Sequence, residues 1–247
     1  MDKKECIVLK DAALGYKKTN ANIPVLKNID LSFYPGDFVG VVGVNGVGKS
    51  TLLKSLCGLL PVLEGEIFID QQPITELLLN ELAKKIAIVL TEKIGGFNLT
   101  AYDAVAAGQM PYTNSFNRLE KENLLVIDEA IKTCGLTIHQ HKLLNELSDG
   151  LFQKTIIAKA LAQQTPIMLL DEPSAFLDYA SKHDLFILLK KLAKEENKCI
   201  LVSSHDLDLL LKYCTKLLVI SNTSIELISV LEAKTNTAFL EIGGGFI

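Results

Sequence analysis

One nine-residue stretch constrains this chain more than any other. Gly43-Val44-Asn45-Gly46-Val47-Gly48-Lys49-Ser50-Thr51 fits the pattern G-x-x-x-x-G-K-[ST]. An apolar run at 38–42 precedes it and a helical pattern at 49–57 follows, so the loop joins a strand to a helix. Glycines at Gly43, Gly46 and Gly48 let the backbone curl until successive N–H groups face one anion. The helix behind adds roughly half a positive charge at its N-terminus. Lys49 supplies a mobile cation for β- and γ-phosphates, and Ser50 a hydroxyl for Mg²⁺. Average composition produces such a match at roughly 3 in 100,000 positions, about a 1% accident for a chain this long. The stretch therefore predicts a nucleotide phosphate cradle with Gly43, Asn45, Gly46, Gly48, Lys49, Ser50 and Thr51 as its residues.

A parallel sheet is the usual setting for such a loop, and the rest of the chain agrees. Short apolar segments at 7–9, 29–33, 38–42, 66–69, 86–90, 167–170, 200–203 and 217–220 read as strands, several with the Val/Ile/Leu content of strands buried on both faces. Helical patterns at 49–57, 119–134, 151–163, 182–195 and 207–213 alternate with them. The fold class is α/β with a parallel sheet. The segment 93–147 carries no strong strand pattern and reads as an inserted helical subdomain. That leaves an α/β core at about 1–92 and 148–222 and a C-terminal tail at 223–247, with Gly243-Gly244-Gly245 suggesting a frayed end.

A second chemical feature lies at 167–173, where an apolar strand ends in Asp171 and Glu172 before Pro173. A carboxylate at the end of such a strand, Asp171, suits Mg²⁺. Glu172, one residue further, is placed to activate a water for in-line attack on a γ-phosphate. A strand exit often carries an acid without any such role, and the phosphate loop is what gives this pair its meaning. Leu147-Ser148-Asp149-Gly150 precedes the next helix, and its Ser and Asp are good helix-starting residues.

With these motifs in order, the chain resembles the ATP-binding subunit of an ABC transporter over about residues 5–220. Leu147-Ser148-Asp149-Gly150-Leu151-Phe152-Gln153-Lys154 is similar to the LSGGQ signature followed by a basic residue. The resemblance implies a P-loop NTPase core of ABC-ATPase type with an inserted helical subdomain. It implies that Ser148 and Gly150 face an ATP held by a second copy, so that two Mg·ATP are clamped in a head-to-tail homodimer. It gives Tyr16 the place of the aromatic residue that stacks on adenine, although a half-buried Tyr at a strand end is the plain alternative. Residues 174–178 take the place of the loop that crosses the dimer interface. His205 takes that of the switch histidine at the γ-phosphate, beside the catalytic Glu172 and Lys49. His139, His141 and His183 fit no motif and read as surface residues.

Two positions depart from the family pattern. Thr91 stands where the family has a glutamine that touches Mg²⁺ and links the site to the permease. With its shorter side chain, coupling is expected to run through water or through Glu92. Asp149 replaces the first glycine of the signature and is expected to cap the following helix.

Residues 98–112, from Asn98 through Gly108-Gln109-Met110-Pro111-Tyr112, are similar to the V-x-x-G-R-x-P-[YHW] stretch of importers of ferric siderophores, haem and cobalamin, with Gln109 in place of Arg. Ala175-Phe176-Leu177-Asp178 is similar to the A-[YF]-L-D of the same branch. The resemblance implies ATP and Mg²⁺ as cofactors, separate transmembrane permease subunits and, indirectly, a substrate-binding protein. It implies a peripheral position on the cytoplasmic face of the cell membrane. A soluble ABC-type ATPase, such as one for iron–sulfur assembly, stays open, as do a subunit for another substrate and a degenerate cassette.

Composition limits the alternatives. The chain has 247 residues and a net charge of −4, which disfavours nucleic acid as a partner. Apolar runs such as 38–44 are far shorter than the about 20 residues a membrane span needs, and no signal peptide is visible at the start. A mean hydropathy of +0.28 fits a sheet covered on both faces or an apolar docking surface. Five cysteines (Cys6, Cys57, Cys134, Cys199, Cys214) with no close pair argue for reduced core thiols rather than a disulfide framework.

Overall fold

The computed structural model describes residues 4–19, 21–90, 98–113 and 118–243. Two sheets face each other across one helix. The first is antiparallel. Strand β1 (Ile7–Lys18) and strand β2 (Ala21–Phe33) form a long hairpin, which β4 (Val62–Ile69) and β5 (Gln72–Pro73) extend in the order β2-β1-β4-β5. The second contains β3 (Phe38–Val42), β6 (Ile86–Val89), β7 (Ile167–Asp171), β8 (Cys199–Ser203), β9 (Lys216–Ile220) and β10 (Ile225–Ser229), in the order β10-β9-β3-β8-β7-β6. Its pairings are parallel except for β10 on β9.

The α/β class with a parallel sheet holds, but the strand segments 7–9, 29–33 and 66–69 do not join that sheet. These segments are the apolar ends of β1, β2 and β4 in the antiparallel sheet. The physical reason is connection length. Lys18 pairs with Ala21 across a tight turn, whereas a parallel neighbour needs a crossover of about a dozen residues or more. The outer halves of β1 and β2 carry exposed residues such as Lys17, Lys18 and Asn22, which hid their length in the hydropathy pattern.

Helix α1 (Lys49–Leu56) fills the space between the sheets with Leu52, Leu53 and Leu56, packed on Leu9, Phe33, Val39, Val41 and Leu201. The opposite face of the parallel sheet presents Phe38, Val42, Met168, Leu170, Ile200 and Val202. These meet α6 (Tyr179–Glu195), α7 (Leu207–Tyr213) and the buried Phe239 of α8 (Thr237–Gly243). Consecutive strand residues thus bury on opposite faces, which explains the continuous apolar runs. Residues 225–243, for which no motif offered a reading, complete this layer as β10 and α8.

Helix α2 (Leu79–Lys85) leads directly into β6. A third cluster ties α3 (Ala101–Ala106), α4 (Lys121–Thr133) and α5 (Asp149–Ala162) together through Val105, Ile127, Ile131, Ala158 and Ala162. Parallel pairing brings the C-terminal ends of β3, β7 and β8 to one edge of the sheet, the edge where ligands bind in open α/β folds.

Candidate nucleotide site

The loop after β3 wraps the start of α1. Gly48 caps that helix with φ +117°, a conformation only glycine adopts readily, and an added Cβ would stand 2.8 Å from Leu26 Cδ2. No side chain caps α1 and its first turn carries no acid. Its N-terminal N–H groups and the positive end of its dipole therefore face the cleft uncompensated, which is the requirement for holding an anion. Lys49 is buried, and its Nζ donates to the carbonyls of Gly43 (2.8 Å) and Val44 (3.3 Å), bracing the loop from inside. Burial pulls the Lys49 ammonium below the ordinary lysine range, opposed by the negative charges of Glu172 and Asp171.

Asp171 is the last residue of β7, and strand register places it opposite Ser203 of β8. The Ser203 hydroxyl donates to Asp171 Oδ1 at 2.7 Å and accepts the Glu172 N–H at 3.0 Å. Glu172 itself takes a left-handed backbone conformation, φ +49°. Its Oε1 lies 3.2 Å from His205 Nε2, within ion-pair range but without the alignment of a hydrogen bond. Burial raises the Glu172 carboxyl above the usual glutamate range. His205 and Lys49 pull it back down, and Asp171 pushes it up.

A cleft of about 400 Å³ collects these groups. Tyr16, Val25, Asn45, Gly46, Gly48, Lys49, Ser50, Thr51, Asp171, Glu172 and His205 line it. Tyr16 lines it and is 45% exposed. Gly43 is not among the residues that line the cleft, and its part is the carbonyl that accepts from Lys49 Nζ. The donor set suits a nucleotide with a hard cation. Ser50 and the carboxylates offer oxygen ligands, and Mg²⁺ commonly takes one or two carboxylates together with substrate phosphates. Among the described residues no cluster of three or more His, Cys, Asp or Glu could hold a metal by itself.

Ser148 and Gly150 do not line this cleft. Ser148 caps α5, accepting the Leu151 N–H at 3.4 Å. Asp149, expected to cap this helix, is its first helical residue, next to that cap, where its charge favours the helix dipole. Gly150 packs on the segment after the acid pair, with an added Cβ 3.3 Å from Phe176 O. Thr91 and Glu92 lie outside the described residues. His183 is half-buried rather than on the surface: its Nδ1 is 2.8 Å from the Tyr213 hydroxyl. His139 is half-buried as well, while His141 is exposed. All five cysteines are free thiols: Cys6, Cys199 and Cys214 are buried, Cys57 and Cys134 partly so.

In the stretch 98–112, Gln109 is buried. Its Nε2 donates to Ala162 O at the end of α5, and its Oε1 accepts from Asn123 Nδ2 at 2.7 Å. Gly108 lies so close to α5 that an added Cβ would meet Lys159 O at 2.3 Å. Tyr112 donates its hydroxyl to Gln163 O at 2.9 Å, and the Gln163 side chain donates to Ala83 O and Ile86 O. The residue that sequence reasoning missed is Ser203. It sits at the end of an apolar run read only as a strand, 32 positions after Asp171, and no local signal marked it.

An uncapped helix start behind a glycine loop, a buried lysine and a strand-end acid pair in one cleft define a P-loop nucleoside triphosphatase. Residues 26–175 match the ABC transporter family. An uncharacterized ABC transporter ATP-binding protein of Methanocaldococcus jannaschii is 38% identical over 216 residues, 87% of this chain and 73% of that protein. The ferric enterobactin transport ATP-binding protein FepC of Escherichia coli is 32% identical over 212 residues, 86% of this chain and 77% of that protein. Among solved structures, an ATP-binding cassette captured as a post-hydrolysis dimer with ADP and Pi superposes with a TM-score of 0.79. It is 29% identical, and the match covers 91% of this chain and 98% of that one. The chain belongs to the ABC transporter ATP-binding family and is an ABC-type ATPase. Among the described residues no helix is long and apolar enough to cross a membrane.

Proposed function

We propose that this chain is the ATP-hydrolysing subunit of a membrane importer, coupling ATP turnover to uptake of a ferric siderophore, haem or cobalamin-type cargo through separate permease subunits. The observation that carries the ATPase half is the single cleft shared by Lys49, Ser50, Asp171, Glu172 and His205. In this reading Tyr16 stacks on adenine, and the loop from Gly43 to Thr51 wraps the phosphates. Ser50 and Asp171 hold Mg²⁺, which supplies charge neutralisation of the β- and γ-phosphates. Glu172, its basicity raised by burial, takes the proton of the attacking water. His205 and Lys49 stabilise the charge on the transferring phosphoryl group.

Two copies close head to tail, so that Ser148 and Gly150 of one chain complete the site of the other. The ADP- and Pi-bound cassette dimer supports this arrangement. The importer half is supported by the ferric enterobactin relative and by the stretch 98–112. A groove of about 200 Å³ beside that stretch, lined by Leu59, Leu79, Leu82, Ile86 and Ile88 among others, offers an apolar seat for short permease helices. The cassette then sits peripherally on the cytoplasmic face of the membrane, with the helical subdomain at about 93–147 transmitting the motion and Thr91 or Glu92 next to the junction.

The test is uptake in cells that express the transporter, comparing wild type with Lys49→Ala and supplying labelled ferric siderophore, haem and cobalamin in parallel. Loss of one supports the importer and identifies its cargo. Undiminished uptake of all three, with the variant expressed, rejects this branch.

A further inference from the structure

Ser203 is fully buried at the end of β8, with no exposed surface. A serine hydroxyl has one proton to give and two lone pairs to accept with. Here the proton is committed to Asp171 Oδ1 (2.7 Å) and one lone pair to the Glu172 N–H (3.0 Å). We propose that Ser203 is the positioning residue of the acid pair: one hydroxyl sets the rotation of the Asp171 carboxylate and the backbone turn that aims Glu172 into the cleft. The inference rests on the reading of Asp171 as metal-holding and Glu172 as base.

Three observations support it. Strand register alone puts Ser203 opposite Asp171, so the contact is built into the sheet rather than made by a mobile loop. Glu172 occupies a left-handed backbone region that is unfavourable for a residue with a side chain, so it needs local contacts to hold it. The Ser203 bond to its N–H is one, and the Glu172 carbonyl, which accepts the Ala175 N–H at 3.2 Å, closes the turn from the other side. Two positions beyond Ser203 stands His205, 3.2 Å from Glu172 Oε1, so the same strand end carries both the support of the acids and the group facing them. Removing the hydroxyl strands a donor and loosens the turn. Displacements of about 1 Å at a reacting group cost on the order of 100-fold in rate.

The experiment compares ATP hydrolysis by wild type, Ser203→Ala, Ser203→Cys and Ser203→Thr in the full-length protein, with Asp171→Asn and Glu172→Gln as controls, each titrated with Mg²⁺ and with ATP. Cysteine is nearly isosteric but a weak donor, so it keeps the packing if alanine does not fold. The expected result is a kcat lower by roughly 10- to 100-fold in Ser203→Ala and Ser203→Cys. The KM for ATP stays within about twofold, because the phosphate loop is untouched, while the Mg²⁺ concentration needed for half-maximal rate rises, and so does that needed to support ATP binding measured without turnover. Ser203→Thr, which restores the hydroxyl, recovers most of the rate. A role in packing alone leaves the Mg²⁺ dependence unmoved and overturns the inference. So does a wild-type kcat in Ser203→Cys while both control variants are inactive. Full activity in both controls overturns the reading of the acid pair, and this inference with it.

Discussion

His205 Nε2 and Glu172 Oε1 stand 3.2 Å apart in the lining of the nucleotide cleft, one group more than half exposed and the other largely buried. Burial keeps the Glu172 carboxyl a better base than a solvated one, and the imidazole and Lys49 limit how far that goes. His205→Ala is therefore expected to lower kcat strongly while ATP still binds. Measured ATP affinity within a few-fold of wild type, alongside lost turnover, is the supporting result. Unchanged turnover counts against the pairing.

Glu172→Gln separates the two consequences of the raised basicity. A positioned general base contributes about 10²- to 10⁴-fold, so turnover should fall by at least the lower figure. Stability should move the other way. The folded protein holds the Glu172 proton to higher pH than the unfolded chain does. Stability contributed by the protonated form is thus present below the ordinary glutamate range and lost as pH rises through the raised value. At neutral pH the buried charge is a net cost that glutamine removes. The thermal midpoint of Glu172→Gln should exceed that of wild type near pH 7.5, with the gap closing near pH 4. A midpoint difference independent of pH would show that burial is not what raises this group.

Much of the chemistry was legible because it is local. The loop from Gly43 to Thr51 needs no tertiary information: spacing, a strand before and a helix after define it. The acid pair is read the same way, from an apolar run that stops at two carboxylates. What was not legible depends on pairing between distant segments. Ser203 gains its meaning from lying opposite Asp171, 32 positions earlier in the chain, and nothing in the pattern of β8 announces that register. The antiparallel sheet escaped for a related reason, since only the buried ends of β1 and β2 carry an apolar pattern. Gln109 stood out only as a replacement for an arginine, and its burial at the joint of three helical segments depends on contacts with Asn123 and Ala162.

That joint predicts a stability effect without a direct effect on the nucleotide. In Gln109→Leu, the Asn123 amide and the Ala162 carbonyl lose their partner while staying buried. Each buried polar group left unsatisfied costs about 1–3 kcal/mol. The urea midpoint should fall accordingly, with ATP affinity unchanged. Gln109→Arg, the residue of the resembling branch, should be at least as damaging, because the structure offers a carbonyl and an amide there rather than a carboxylate. Equal midpoints for all three proteins would remove the clasp from the account of this region.

Tyr16 offers a cleaner binding test. Tyr16 lines the cleft and is 45% exposed, so truncation leaves no cavity in the core. Aromatic stacking on a base is worth about 1–3 kcal/mol by alanine substitution. Tyr16→Ala should weaken ATP binding by roughly 5- to 150-fold, with kcat at saturating ATP preserved and the thermal midpoint of the free protein near that of wild type. Tyr16→Phe, which keeps the ring, should bind normally. If phenylalanine fails as alanine does, the hydroxyl rather than the ring is at work, and stacking is the wrong description.

The apolar groove beside residues 98–112 separates hydrolysis from transport. Leu79 is 83% exposed and Leu59 58% exposed, and both line it. Much of each side chain stays in solvent and is available for a partner. A charge at either position costs the isolated chain little, since surface substitutions are usually within about 0.5 kcal/mol. It does place an ion where a permease helix would need apolar contact, at a cost of several kcal/mol to docking. Leu79→Asp is therefore expected to hydrolyse ATP at the wild-type basal rate when purified, and to lose cargo uptake and co-purification with the membrane fraction. Uptake and membrane recovery equal to wild type would place the permease contact elsewhere on the surface. Loss of basal hydrolysis together with uptake would mean that the groove supports the catalytic fold itself and that the two activities are not separable at this face.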